Sequence, residues 1–489
     1  MRRSLLFSFG EKYIGLAMQL GTVMILSRIL TPAETGLFSV AAGLVGIAQA
    51  VRDFGVGTYI LQERDLTRSR LGAALWISVL MGTGLAIGFV AAAPAIAANF
   101  GAPDLAGVID VLSLNFILVA IAAIGGARLR RSMDFRTITL IGIGGTAAGS
   151  VASVIFAISG FGASGLAWAS VTGIVAALVG NLIRFPDLIL PPGFSQWWRI
   201  LRFGGVSMGA TILQEIGYRA PDIVIGRVLG FEAAGFFSRG NGLISLFESA
   251  FLNAVMPVST TTLAMHHRNR ETLATPFLQV LDYLLTVSWP ALAILGCLSY
   301  PIITLMFGPQ WLQSVSVGPP LCIAGALFVI SRLAVSLTTA TGAVKSGLLI
   351  QCIGVPVRVL GLAVGAELGF EAAAWGLVAA NCVHAALSLV VTTRLLATTP
   401  ARFIRPLLSG GLATAATLAV PLGVLALLPM PTHGVIGPAA AILAGGALGW
   451  GAYLLAARHP IIAEGVAFLR HVVSVRLSLP RRLRAVLGE

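Results

Sequence analysis

Apolar runs of about 20 residues or more succeed one another along nearly the whole chain, broken only by short polar turns, and each is long enough to cross a bilayer. Within hydrocarbon every backbone N–H and C=O must be paired inside the protein, so a spanning segment is a helix or part of a closed barrel. Barrel strands would alternate apolar and polar residues over segments of about 10 residues, whereas these runs are apolar all round. The sequence therefore predicts an all-α polytopic membrane protein with about fourteen transmembrane helices. The expected spans are 5–30, 37–61, 71–98, 107–129, 137–159, 163–183, 203–228, 235–263, 276–300, 317–340, 345–366, 372–393, 404–428 and 434–457. Composition agrees: 57% of residues are hydrophobic and 10% charged, against roughly 25% charged in soluble domains. Pro94, Pro257, Pro290, Pro356 and Pro421 interrupt spans and read as kinks.

Arginine sorts the loops into two sets. Alternate loops carry Arg64, Arg68 and Arg70; Arg128, Arg130, Arg131 and Arg136; Arg184, Arg199 and Arg202; Arg268 and Arg270; Lys345; and Arg394, Arg402 and Arg405. The intervening loops, near 31–36, 99–106, 159–162, 229–234, 306–316, 367–371 and 429–433, hold no Lys or Arg. By the positive-inside rule both termini are expected in the cytoplasm. The net charge of +13 then sits where it meets anionic lipid, and nucleic acid is not needed to explain it. Residues 185–202, with Trp197 and Trp198, are expected to form a linker with a short interfacial helix, and 458–489 a basic amphipathic tail. The first span carries Glu11 and Lys12 and lacks a small-residue cleavage pattern, so no cleavable signal peptide is expected. Cys297, Cys322, Cys352 and Cys382 fall in spans without metal spacing and read as small hydrophobes.

The chain also repeats itself. Ser27-Arg28-Ile29-Leu30-Thr31-Pro32-Ala33-Glu34-Thr35-Gly36-Leu37-Phe38-Ser39 returns 199 residues later as Gly226-Arg227-Val228-Leu229-Gly230-Phe231-Glu232-Ala233-Ala234-Gly235-Phe236-Phe237-Ser238. Gly160-Phe161-Gly162-Ala163 and Gly369-Phe370-Glu371-Ala372 form a weaker pair. Two similar apolar halves are how many transporters enclose a site at mid-membrane and rock around it.

Charges inside spans mark the candidate site, since each costs about 2.5–3.5 kcal/mol at the bilayer centre. They are Glu11, Lys12, Arg52, Asp53, Glu215, Arg219, Asp222, Arg239, Glu248, Asp282, Arg332 and Arg358. They must pair or line a hydrated cavity. Glu215, Arg219 and Asp222 share one helical face at i, i+4 and i+7. Arginine offers a fork matched to phosphate oxygens, so Arg52, Arg219, Arg239, Arg332 and Arg358 are the candidate anion contacts. Asp53, Glu215, Asp222, Glu248 and Asp282 are the candidate ion- or proton-coupling groups. Each of these residues has a structural alternative as an interhelical partner, and His384 reads better as a satisfied packing histidine than as a proton carrier. Lys345-Ser346 lacks a Walker glycine pattern, and there is no HExxH and no Ser/His/Asp arrangement on a loop. No catalytic residue, metal or cofactor is expected, and the loops on the arginine-free side are too short for the active site of a membrane glycosyltransferase or polymerase.

These motifs resemble a known family. Leu26-Ser27-Arg28-Ile29-Leu30-Thr31-Pro32-Ala33-Glu34-Thr35-Gly36-Leu37-Phe38 resembles the signature ending the first helix of Wzx-type oligosaccharide flippases, of the multidrug/oligosaccharidyl-lipid/polysaccharide (MOP) exporter superfamily. Arg52-Asp53-Phe54-Gly55-Val56-Gly57 with Ile60-Leu61-Gln62 is similar to their second-helix segment, and Asp222-Ile223-Val224-Ile225-Gly226-Arg227-Val228-Leu229-Gly230 to that of their second lobe. The resemblance implies two pseudo-symmetric six-helix lobes plus two C-terminal helices. The expected divisions are 1–184, a linker 185–202, 203–394, helices 13–14 over 395–457, and the tail 458–489. It also implies translocation of undecaprenyl-diphosphate-linked oligosaccharide across a bacterial cytoplasmic (inner) membrane by alternating access, for O-antigen, capsule or exopolysaccharide assembly, with a polysaccharide polymerase and a chain-length regulator as partners. By position, Arg52 and Arg239 match the family's cavity arginines, while Arg28 and Arg227 shape helix ends. A lipid II flippase is the nearest alternative. A cation-coupled drug exporter would favour an acidic, aromatic-lined cavity, and this chain has as many basic as acidic charges in its spans.

Overall fold

The computed structural model describes residues 2–53, 60, 63, 67–188, 197–427 and 434–462. The described residues are helical almost throughout. They form α1 (Arg2–Ile29), α2 (Pro32–Asp53), α3 (Arg68–Phe100), α4 (Asp104–Arg131), α5 (Phe135–Ile158), α6 (Gly162–Arg184), α7 (Trp197–Val228), α8 (Phe231–Phe247), α9 (Asn253–Arg268), α10 (Ala274–Cys297), α11 (Ser299–Met306), α12 (Gln313–Ala340), α13 (Val344–Leu368), α14 (Phe370–Leu395), α15 (Ala401–Leu427) and α16 (Ile436–Ala456). Among the described residues twelve spans are long and apolar enough to cross a membrane, with α8 and α9 joined as one. The described apolar part of α1, Tyr13–Ile29, is shorter, and α7, which carries Glu215, Arg219 and Asp222, is not among the twelve. The tail beyond 462 lies outside the described residues.

Helix starts follow local chemistry. The Thr-Pro-Ala-Glu motif is a reciprocal N-terminal cap: Thr31 N–H donates to Glu34 Oε2 at 2.8 Å, and Glu34 N–H donates to Thr31 Oγ1 at 3.3 Å. Pro32 takes the first helical position, where its missing N–H is not needed. In the second copy Gly230 precedes α8 at φ +90°, a conformation that favours glycine over other residues.

Three elements depart from expectation. α7 begins at Trp197, so the tryptophan pair opens that helix instead of forming a separate one. The ninth expected span stops at Cys297 and restarts as α11; Pro301, two residues into α11, has no N–H for the preceding turn, and Ser299 Oγ caps the Gly296 carbonyl at 2.7 Å. The eighth span is continuous in direction but contains a π-turn, Glu248–Leu252, ahead of Pro257.

α1–α6 pack mainly on one another, as do α7–α14, and α2 packs across on α7 and α8. The shared core combines Val40, Val45 and Phe116 of the first bundle with Ile225, Phe237 and Leu377 of the second. α15 and α16 pack against α10. A polar seam fixes them there: His459 Nε2 lies 3.0 Å from Asp282 Oδ2, Trp450 Nε1–H donates to the Thr286 carbonyl at 2.9 Å, and Ser409 Oγ is 3.0 Å from the Tyr453 hydroxyl.

The repeat meets its own copy. At the loop end poor in arginine, Ser39 and Ser238, 199 residues apart, are hydrogen-bonded at 3.3 Å. A Cβ on Gly36 would lie 1.7 Å from the Phe231 carbonyl oxygen, and one on Gly235 would lie 2.0 Å from that of Pro32. Glycine at both positions lets α2 and α8 touch backbone to backbone, a mode common between membrane helices.

Candidate functional site

Two pockets open near the middle of the helices, on either side of the π-turn. The first, about 990 Å³, lies among α1, α4, α5 and α6, and Ser249 of the π-turn forms part of its wall. The second, about 360 Å³, lies among α7, α12, α13 and α14, and Glu248, the neighbouring residue, faces it. Asn253, just past the π-turn, lines both. A π-turn adds a residue to the helical repeat, and such turns recur at functional sites. Pro257 cannot donate to the Asn253 carbonyl one turn back, which leaves this stretch of helix free to depart from α geometry.

The second pocket gathers charge. Glu248 pairs with Arg332 at 3.0 Å, and Arg332 also donates to Asn253 Oδ1 at 3.2 Å. Glu215 pairs with Arg219 at 3.5 Å along α7, and Glu215 lines the pocket. Arg219 reaches towards α2, where Gly46 makes room: a Cβ there would sit 3.0 Å from Arg219 Nε. Arg358 stacks over Phe328 at 4.3 Å, and its buried Nε has no hydrogen-bond partner. Among the described residues no carboxylate lies within ion-pair distance of Arg358. Beside it His384 is buried, with neither ring nitrogen hydrogen-bonded. Gly354 admits the imidazole, since a Cβ there would fall 2.3 Å from Nε2. The expectation that His384 is a satisfied packing residue is therefore corrected. Its neighbour in sequence space, Asn381, is the one that bonds a carbonyl, that of Ala324 at 2.8 Å.

The remaining sequence-predicted residues lie elsewhere. Arg52 is buried between α2 and α4, donating to the Asn115 carbonyl at 3.4 Å. Arg239 stacks on Trp311 at 4.9 Å and Phe307 at 5.4 Å at the arginine-poor end, away from both pockets. Asp282 belongs to the seam with His459. Among the described residues Asp222 makes no hydrogen bond or ion pair, and Arg219 is the charge that acts on it. The side chains of Glu11, Lys12 and Asp53 lie outside the described residues. So of the ten candidates, Arg332, Arg358, Glu215 and Glu248 share one pocket, with Arg219 at its edge.

The sequence reading missed the residues that close the arginine-poor end. Trp311 Nε1–H donates to the Ser27 carbonyl at 2.7 Å, and Gln310 donates to that of Leu30 at 3.3 Å. Arg28 donates to the Leu305 carbonyl at 3.3 Å, and Arg227 to Asn99 Oδ1 at 2.8 Å. Each repeat arginine thus grips the other bundle. The repeat itself was the available signal.

This architecture, two facing bundles closed at one end around pockets at mid-height, is that of a transporter fold. The structure superposes on the lipid II flippase MurJ in an inward closed conformation with a TM-score of 0.70, at 13% identity over 94% of this chain and 100% of that one. It superposes on an inward-facing MATE family transporter of the MOP superfamily with a TM-score of 0.61, at 17% identity over 81% and 95%. A family model described as polysaccharide biosynthesis protein matches residues 25–316, and the chain belongs to that family. The succinoglycan biosynthesis transport protein ExoT of Rhizobium meliloti (strain 1021) is 28% identical over 62% of this chain and 60% of its own length. The lipopolysaccharide biosynthesis protein WzxC of Escherichia coli (strain K12) is 25% identical over 73% and 74%. The teichuronic acid biosynthesis protein TuaB of Bacillus subtilis (strain 168) is 24% identical over 63% and 64%. The match thus spans less than two thirds of two of these three relatives.

Proposed function

We propose that the chain is a flippase that carries undecaprenyl-diphosphate-linked oligosaccharide across the bacterial cytoplasmic membrane by alternating access, for surface polysaccharide assembly. One observation carries this most directly: Arg358, in a pocket near the middle of its helices, makes no ion pair among the described residues, and Glu248, the carboxylate whose charge reaches it, is already paired with Arg332. A half-buried guanidinium without a carboxylate of its own is costly, so an anion carried in turn would complete the site. A diphosphate supplies oxygens for Arg358 and, when its pairing with Glu248 is exchanged, for Arg332. The names of the relatives, which concern succinoglycan, lipopolysaccharide and teichuronic acid, agree with such a cargo. Two arginines facing two glutamates also fit an anionic cargo better than the acid-lined cavity expected of a cation-coupled drug exporter.

The lobes 1–184 and 203–394 would rock about the α2–α8 contact, with 185–202 as the linker. The arginine-rich end, and both termini, would face the cytoplasm and its anionic lipids. Glu215 and Glu248 are the carboxylates placed to couple ion or proton movement to the cargo. A polymerase and a chain-length regulator would take the product, and no chemical step or cofactor is assigned to this chain. The test is deletion of the gene in its host, with analysis of undecaprenyl-linked oligosaccharide and surface glycan. Accumulated lipid-linked repeat units and lost glycan, restored by the wild-type gene and not by an Arg358→Gln copy, support the reading. Intact glycan with altered drug sensitivity would sink it.

A further inference from the structure

The two pockets differ in kind. Among the described residues, every charged side chain that faces either of them faces the smaller one. The larger is lined mostly by apolar side chains and glycines, with hydroxyls set among them, and its described lining contains no Arg, Lys, Asp, Glu or His. Gly145, Gly149 and Gly173 let α5 and α6 approach closely, a Cβ on Gly145 falling 3.0 Å from the Gly173 carbonyl oxygen. The surface they leave is broad and carries the Ser150 hydroxyl. The Gln19 amide lines the space and has no hydrogen-bond partner among the described residues, and Tyr13, 52% exposed, adds an aromatic ring to the lining. Uncharged donors and acceptors beside an aromatic face suit a ligand rich in hydroxyls and C–H faces. The volume of about 990 Å³ lies at the upper end of the roughly 300–1,000 Å³ that holds a drug-sized ligand.

We propose that the two pockets divide one cargo. The α7/α12–α14 pocket takes the diphosphate, and the α1/α4–α6 pocket takes the neutral sugars next to it, with Asn253 at the junction. This rests on the flippase reading above. The π-turn sets the division, because successive residues there, Glu248 and Ser249, face the charged and the uncharged pocket. Sugar selection would then belong to the first bundle and headgroup capture to the second.

The test is direct binding to the purified full chain in nanodiscs. The probes are a polyprenyl diphosphate with no sugar and the same lipid bearing a neutral trisaccharide. Gln19→Leu with Ser150→Ala is expected to weaken the sugar-bearing probe roughly tenfold, the loss of two neutral hydrogen-bonding groups, while leaving the bare diphosphate unchanged. Arg358→Gln is expected to weaken both probes alike. The division is overturned if the Gln19/Ser150 variant weakens both probes equally, or if Arg358→Gln affects the sugar-bearing probe alone. Failure of the wild-type chain to bind either probe would overturn the flippase reading itself, and this inference with it. Unaltered thermal unfolding of each variant separates lost binding from lost folding.

Discussion

Arg332 and Glu248 hold each other in a pocket, their side chains mostly withdrawn from solvent at 25% and 14% exposure. Taking one partner from such a pair strands the other, at about 3–5 kcal/mol, while replacing both with uncharged groups is often nearly neutral. Arg332→Met is therefore expected to lower the thermal unfolding midpoint markedly, and Arg332→Met with Glu248→Gln to recover most of the loss. Equal midpoints for the single variant and wild type would show that water, not Arg332, satisfies Glu248. A different pair governs acid behaviour outside the spans. The Arg128 hydrogen bond, then its charge and that of Arg68, hold the Asp187 carboxyl below the usual carboxylate range despite some opposing burial. A depressed carboxyl adds stability above its unfolded value of about 3.9 and loses it as pH falls through the folded value. Asp187 is 44% exposed, so the contribution is at most about 1 kcal/mol. Asp187→Asn should be slightly less stable than wild type and equally so at pH 7 and pH 5, and the gap should shrink as pH falls below about 3.9 towards the depressed folded value. A gap that stays constant however far the pH is lowered would assign the loss to shape rather than charge.

Between elements, the α2–α8 contact depends on two glycines and is reported by two serines. A Ser39→Cys/Ser238→Cys chain should cross-link readily under mild oxidation. Adding Gly36→Ala should cut the yield several-fold, because the new Cβ cannot coexist with the Phe231 carbonyl at the present spacing. Gly88→Ala, which meets nothing within 4 Å, should not change it. Unchanged cross-linking in the Gly36→Ala chain would mean the helices do not meet here in the membrane. This contact was half legible in the sequence. The repeat announced two matching helix ends, and hydropathy placed the helices to within a few residues, because burial in lipid leaves a continuous apolar signal. What the sequence withheld was which charges converge. Arg332 and Arg239 are equally lone arginines in apolar helices, yet one faces a pocket and the other stacks on Trp311. The difference is made by long-range packing, such as Gly354 admitting His384 and Phe328 bracing Arg358, which has no local pattern. The π-turn was equally hidden, for only Pro257 hinted at a break in that span.

For the molecule as a whole, alternating access as proposed above would make the two repeat arginines latches. Arg28 of the first bundle bonds the end of α11, and Arg227 of the second bonds the end of α3. Both bonds, with those of Trp311 and Gln310, fasten the arginine-poor end, and all would have to break for that end to open. A ligand-driven switch of the kind proposed works only if neither state is overwhelmingly favoured, so each latch would have to be weak. A hydrogen bond of this kind contributes about 1 kcal/mol net, and losing both would shift the balance towards the opened state by about 2 kcal/mol, or about 30-fold. The latches touch different partners on different helices and share none, so their effects should add. The readout is the labelling rate of a cysteine at Ser238 by a membrane-impermeant thiol reagent. Arg28→Gln and Arg227→Gln should each raise the rate several-fold and the double variant by their product. If the single variants were silent and only the pair accelerated labelling, the latches would be redundant rather than additive. If neither did, the closed end would be held by the Trp311 and glycine contacts alone, and the repeat would have kept its arginines for the shape of the helix ends.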